Sequence, residues 1–271
     1  MIVNKKLIIL FVCVIIFFGV VLISNSHQRV FLRNILSSLK VAPLAKASAS
    51  VLNEQEKKND APQYPFAAGE QLQYGIYSAL LKVGSAVITY QGREEFNGTS
   101  VDVVKLEAHA PGFHDIDIIY GDFATFTPRF VKREISLFGE KISITEDYNA
   151  ASNSVTVTRK AKETTVETIK SDKRIGNIIL LLYYFRINKE RLAVGDALTF
   201  NLPTKQLLMK VSKFSQLSVP MGKFRSVYIH SLPPKFKVWL APDEGNLPLK
   251  IQGAIGFGNT FLSLIDVKKS S

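Results

Sequence analysis

His109, His114, Asp115 and Asp117 form the densest set of chemically competent side chains in this 271-residue sequence. Two imidazoles and two carboxylates could ligate a metal, or supply a general base with an orienting carboxylate. Their setting argues otherwise. Alternation puts Asp115 and Asp117 on one strand face and His109 on the polar face of another, joined by a Pro111-Gly112 turn, as a solvated strand face would be. Cys13, the single cysteine, lies in an apolar run, which leaves the rest of the chain without a thiol nucleophile, a Cys-based zinc site or a disulfide. HExxH, a Gly-x-Ser-x-Gly elbow and a Gly-rich loop closing in Gly-Lys-Ser/Thr are all missing, and Gly253 to Gly258 reads as a bulge or turn. We therefore expect no enzymatic activity, no metal and no cofactor.

Binding is the other chemistry on offer. Tyr74, Ile76, Leu181, Tyr184, Phe185 and Trp239 combine large apolar bodies, several with polar tips, and are candidates to line an apolar interior. Arg186 is the candidate partner for a headgroup or carboxylate, with an internal salt bridge as its other role.

Strands must position these residues. Leu72, Tyr74 and Ile76 alternate with smaller or polar neighbours; Val104, Leu106, Ala108 and Ala110 oppose Lys105, Glu107 and His109; Ile116, Ile118 and Tyr120 oppose Asp115 and Asp117. Similar segments recur to Val267, separated by turn signals such as Asn97-Gly98, Phe138-Gly139 and Met221-Gly222. About a dozen short strands are expected, in an all-β, large curled antiparallel sheet or barrel. Residues 176–186 break the pattern. They are apolar nearly all round, which predicts a short buried helix plugging the sheet, with a buried strand as the alternative.

Leu7 to Ile23 is an unbroken apolar run behind Lys5 and Lys6, close to the roughly 20 residues that span a bilayer. It predicts a signal anchor over 1–26, a juxtamembrane linker over 27–63 and an exported β-rich domain over 64–271, with a cleaved signal peptide and a soluble periplasmic protein as the alternative. The net charge of +11 is spread rather than clustered, which speaks against nucleic acid. It leaves room for attraction to anionic headgroups.

The stretch PFAAGEQLQYGIYSALLKVGSAVITY, with Gly69, Glu70, Leu72, Tyr74 and Gly84, resembles the opening of the domain of unknown function family numbered 3108, a bacterial envelope family. Tyr183-Tyr184-x-Arg186, Val194-Gly195, Gly222-x-Phe224 and Trp239-Leu240-x-x-Asp243 with Leu247-Pro248 extend the resemblance from about Pro65 to Val267. The family often has an Asp before its central apolar helix, where this chain has Gly176-Asn177. The resemblance implies an exported β-rich domain and no established activity. The expected role is a membrane-anchored periplasmic protein of the inner membrane that binds a hydrophobic or lipid-like ligand. A structural scaffold that docks an envelope protein partner is the alternative.

Overall fold

The computed structural model describes residues 63–188, 192–253 and 260–269. The expected anchor and nearly all of the linker lie outside the described residues. Among the described residues no helix is long and apolar enough to cross a membrane. Residues Ala61–Ser271 form one compact unit that contains every element below together with a core of its own, the property that lets a domain fold by itself.

The strands are β1 (Gln71–Ser78), β2 (Leu81–Phe96), β3 (Thr99–Ala110), β4 (Phe113–Asp122), β5 (Thr127–Leu137), β6 (Glu140–Asn149), β7 (Ser154–Lys160), β8 (Thr164–Lys170), β9 (Ala197–Leu202), β10 (Lys205–Val219), β11 (Gly222–Leu232), β12 (Lys237–Ala241), β13 (Leu247–Gln252) and β14 (Thr260–Lys268). One helix, α1 (Ile178–Ile187), separates β8 from β9. Among the described residues all fourteen strands join one antiparallel sheet in the order 8-7-6-5-4-3-2-1-14-13-12-11-10-9. β1 therefore sits in the middle. Two meanders run outward from it and end at β8 and β9, so the sheet is open rather than a closed barrel.

Tight turns set this topology. Asn97-Gly98 and Phe138-Gly139 both have two consecutive positive φ angles, the geometry that matches the right-handed twist of a hairpin. Register shifts at Tyr90/Gly92, Tyr120/Gly121, Val211/Lys213 and Trp239/Leu240 add local twist and curl the sheet.

The curled face closes on α1. Asn177 caps the helix, its side-chain oxygen accepting from the amides of Ile179 (2.8 Å) and Leu180 (3.4 Å). Ile179 to Arg186 are all buried. A helix apolar all round must be covered on every side, and here the cover comes from distant parts of the chain. Phe123 stacks on Tyr183 at 4.5 Å between ring centroids, Phe126 meets Tyr184 edge-on at 5.1 Å, and Asn246 donates to the Phe185 carbonyl (2.8 Å). Gly121 has no room for a side chain, since a Cβ there would lie 2.3 Å from Leu180.

Candidate functional site

A half-open cleft of about 280 Å³ lies between the C-terminal half of α1 and strands β9 to β11. Its walls are Tyr184, Phe185, Leu198, Met209, Val211 and Ile229, with Asp196 and Ala197 at one side. Asp196 is held by its own loop: its carboxylate accepts from the Ala193 amide (2.9 Å) and its carbonyl from the Val211 amide (2.9 Å). Met209 supplies a flexible, polarizable wall able to adapt to an apolar shape.

The predicted lining residues separate into three environments. Tyr184 and Phe185 line the cleft. Tyr74, Ile76 and Leu181 lie in the closed core with 1% exposure or less, and the Tyr74 hydroxyl donates to the Pro248 carbonyl (2.8 Å). Trp239 stands on the opposite face of the sheet, stacked on Tyr228 at 4.8 Å with the Lys250 ammonium 5.2 Å from its ring. Lys250 has its pKa lowered by partial burial and by the neighbouring Lys237. Leu198, Met209, Val211 and Ile229 escaped sequence reasoning, since alternation marks them only as inward-facing and not as next to a space.

Arg186 is occupied. It donates two hydrogen bonds to Glu70 (2.5 and 3.1 Å), both residues being nearly inaccessible, and its guanidinium lies 4.3 Å from the centroid of the Phe66 ring. Its Nε and the Tyr183 hydroxyl are buried without a hydrogen-bond partner among the described residues. Burial raises the Tyr183 pKa well above its ordinary value and keeps the phenol neutral. Beside this pair, Tyr64 and Tyr90 donate to Asp102 (2.9 and 3.0 Å), whose pKa is raised by desolvation and pulled back by these hydrogen bonds.

The His/Asp set is divided by the sheet. His109 and His114 meet edge-on at 5.5 Å, and His114 contacts Glu107 (3.1 Å). Asp115 and Asp117 share their strand face with the buried Phe113 and Ile119, which corrects the reading of a solvated face. Ile116, Ile118 and Tyr120 instead face outward, where Tyr120 packs on Phe96 (5.0 Å). Asp115 is neutralised by Arg133 through two hydrogen bonds (2.8 and 2.5 Å). Oδ1 of Asp117 is buried with no hydrogen-bond partner among the described residues, and desolvation pushes its pKa up to about 7 against the pull of Arg133, with Asp115 and Glu146 adding to the rise. Glu146 in turn accepts from the Tyr148 hydroxyl.

Residues 73–265 match the family described as Protein of unknown function (DUF3108). The chain belongs to the DUF3108 family. Glu70 of the opening motif and Arg186 of the Tyr-Tyr-x-Arg motif, 116 residues apart, are the two halves of the buried pair. Gly84 of the DUF3108 opening sits where a Cβ would lie 2.3 Å from the His109 carbonyl oxygen. Tyr74 and Pro248, from the first and last motifs, share a hydrogen bond. Most of the DUF3108 pattern in this chain thus serves packing. Three solved structures are similar to it. One is a β-barrel-like protein of the domain of unknown function DUF1849 from Brucella abortus (9% identity, 76% of this chain and 99% of that one, TM-score 0.44). Another, from Bacteroides fragilis, is described as exported with a YmcC-like fold (10%, 76% and 98%, TM-score 0.26). The third, from Parabacteroides distasonis, is described as a lipoprotein (11%, 77% and 100%, TM-score 0.25). No curated protein matches the chain.

Proposed function

We propose that this DUF3108 protein holds a small hydrophobic ligand in the cleft beside α1, without catalysing a reaction, as a periplasmic protein anchored in the bacterial inner membrane and serving envelope maintenance. The cleft carries the reading: it is apolar on most of its wall, open on one side and backed by a packed core. Its size limits the occupant. Small-molecule sites run from roughly 300 to 1,000 Å³, so about 280 Å³ suits one short acyl chain or a single apolar group and not a whole two-chain lipid. The apolar run at Leu7 to Ile23 supports a station at a membrane, where such ligands arise.

Native mass spectrometry of residues 61–271 isolated from a periplasmic fraction, followed by lipid extraction, tests this. The expected result is a stoichiometric adduct of lipid-fragment mass, lost in Ala197→Trp, which places an indole at the cleft wall. A clean apo mass that persists after incubation with envelope lipids would transfer the role to a partner-docking scaffold. That reading is favoured by the filling of the rest of the interior by Tyr74, Ile76 and Leu181.

A further inference from the structure

The two rims of the sheet differ in polarity. In an antiparallel meander alternate turns fall at opposite ends of the strands, so the strand order sorts every turn to one rim or the other. The turns after β1, β5 and β11 share a rim and expose apolar tips. Leu80 is 95% exposed, Leu81 66%, Phe138 60% and Leu232 45%. At the other rim the exposed large apolar residues of the turns among the described residues are Val194 and Met221.

Charge divides the same way. Each apolar tip is followed by an exposed lysine, Lys82, Lys141 and Lys235, and the two remaining turns of that rim with charged residues, after β7 and β9, carry Lys162 and Lys205. Turn residues 79–82, 111–112, 138–141, 160–164, 202–205 and 232–237 hold seven lysines against Glu140 and Glu163, a balance of +5. Counted to the same extent into the flanking strands, the described turns of the opposite rim hold Asp122, Asp172, Asp196, Asp243 and Glu244 against Lys170, Lys173, Arg174 and Lys223, a balance of −1.

The tips are also held in place rather than merely left over. Phe138 and Ala79 adopt positive φ (48° and 54°), a conformation non-glycine residues rarely take. The Phe138 amide donates to the Gly112 carbonyl (2.7 Å), and a Cβ on Gly112 would collide with the Phe138 ring at 2.4 Å. The hairpin turn accounts for the Phe138 backbone; what it presents outward is a ring packed on Gly112 and still 60% exposed.

We infer that this rim is a docking surface for an anionic lipid bilayer, into which the Leu80-Leu81, Phe138 and Leu232 tips insert while the flanking lysines meet lipid phosphates. Apolar tips ringed by cations match the two components of an anionic bilayer surface, a shallow apolar layer beneath negative headgroups. A protein partner would be expected to match one compact patch, whereas these tips are distributed along a rim. The surface is formed by residues other than those that line the ligand cleft.

Vesicle flotation of residues 61–271, which lack that run, tests it. The expected result is flotation with phosphatidylglycerol-rich vesicles, little with pure phosphatidylcholine, and weakening by salt. Leu80→Ser with Leu81→Ser should lower binding roughly tenfold, and Lys82→Glu with Lys235→Glu roughly tenfold or more. Met221→Ser, at the other rim, should leave it unchanged. Circular dichroism should show all variants folded, as the altered side chains are solvent-exposed. Failure of the wild-type domain to float with anionic vesicles, flotation equal in all variants, or capture of an acidic protein by the rim with vesicles unbound would overturn the inference.

Discussion

Asp117 shows how a single side chain makes stability depend on pH. Its side chain is half-buried as a whole, yet Oδ1 is shut away from water without a hydrogen-bond partner among the described residues, and Arg133 is already committed to Asp115. In the unfolded chain the carboxyl titrates near its ordinary 3.8, in the folded one near 7. Between those values the folded state binds more protons, so this group makes stability fall as pH rises through that window. Below about 4 both states are protonated and the group contributes no slope. Asp117→Asn should flatten the dependence and stabilise the protein above neutral pH by about 1–3 kcal/mol, the scale of an unpaired buried polar group. Urea unfolding across the pH range measures this; an unchanged slope would show that Asp117 is ionised at no cost.

Between elements, the Glu70–Arg186 pair ties the segment leading into β1 to the last turn of α1. α1 is the chain's passage from edge β8 to edge β9, so its docking decides whether the two meanders close over one core. Removing one partner strands a buried charge, a loss of about 3–5 kcal/mol, whereas replacing both with apolar groups is close to neutral. Arg186→Ala should thus shift the urea midpoint sharply down, and Arg186→Met with Glu70→Leu should recover most of the loss. An Arg186→Ala variant as stable as the wild type would contradict this assignment and return Arg186 to a role in ligand contact. The helix itself was legible in the apolar run 176–186. Periodicity left a strand open, because so short a run matches either pattern; the structure makes it a helix that starts at the Asn177 cap and packs against the sheet instead of joining it.

For the whole molecule, the strand order predicts a gradient of protection. β1 is paired on both sides and largely buried, whereas β8 is paired on one side and exposed along nearly all its length. Hydrogen exchange read by mass spectrometry should be slowest in β1, β2 and β14 and fastest in β8, with uniform protection as the contrary result. The sequence by itself determined the all-β class, the turns at Asn97-Gly98 and Phe138-Gly139, the apolar plug and the family, because hairpins and amphipathic alternation are local and written into neighbouring residues. It could not determine which face of a strand turns inward. Asp115 and Asp117 alternate with Ile116 and Ile118, and alternation defines two faces without naming the core. Nor could it locate the cleft, pair Glu70 with Arg186, or gather Leu80, Phe138 and Leu232 onto one rim. Those depend on contacts between residues far apart in the chain, which the curl of the open sheet around α1 brings together and local sequence does not encode.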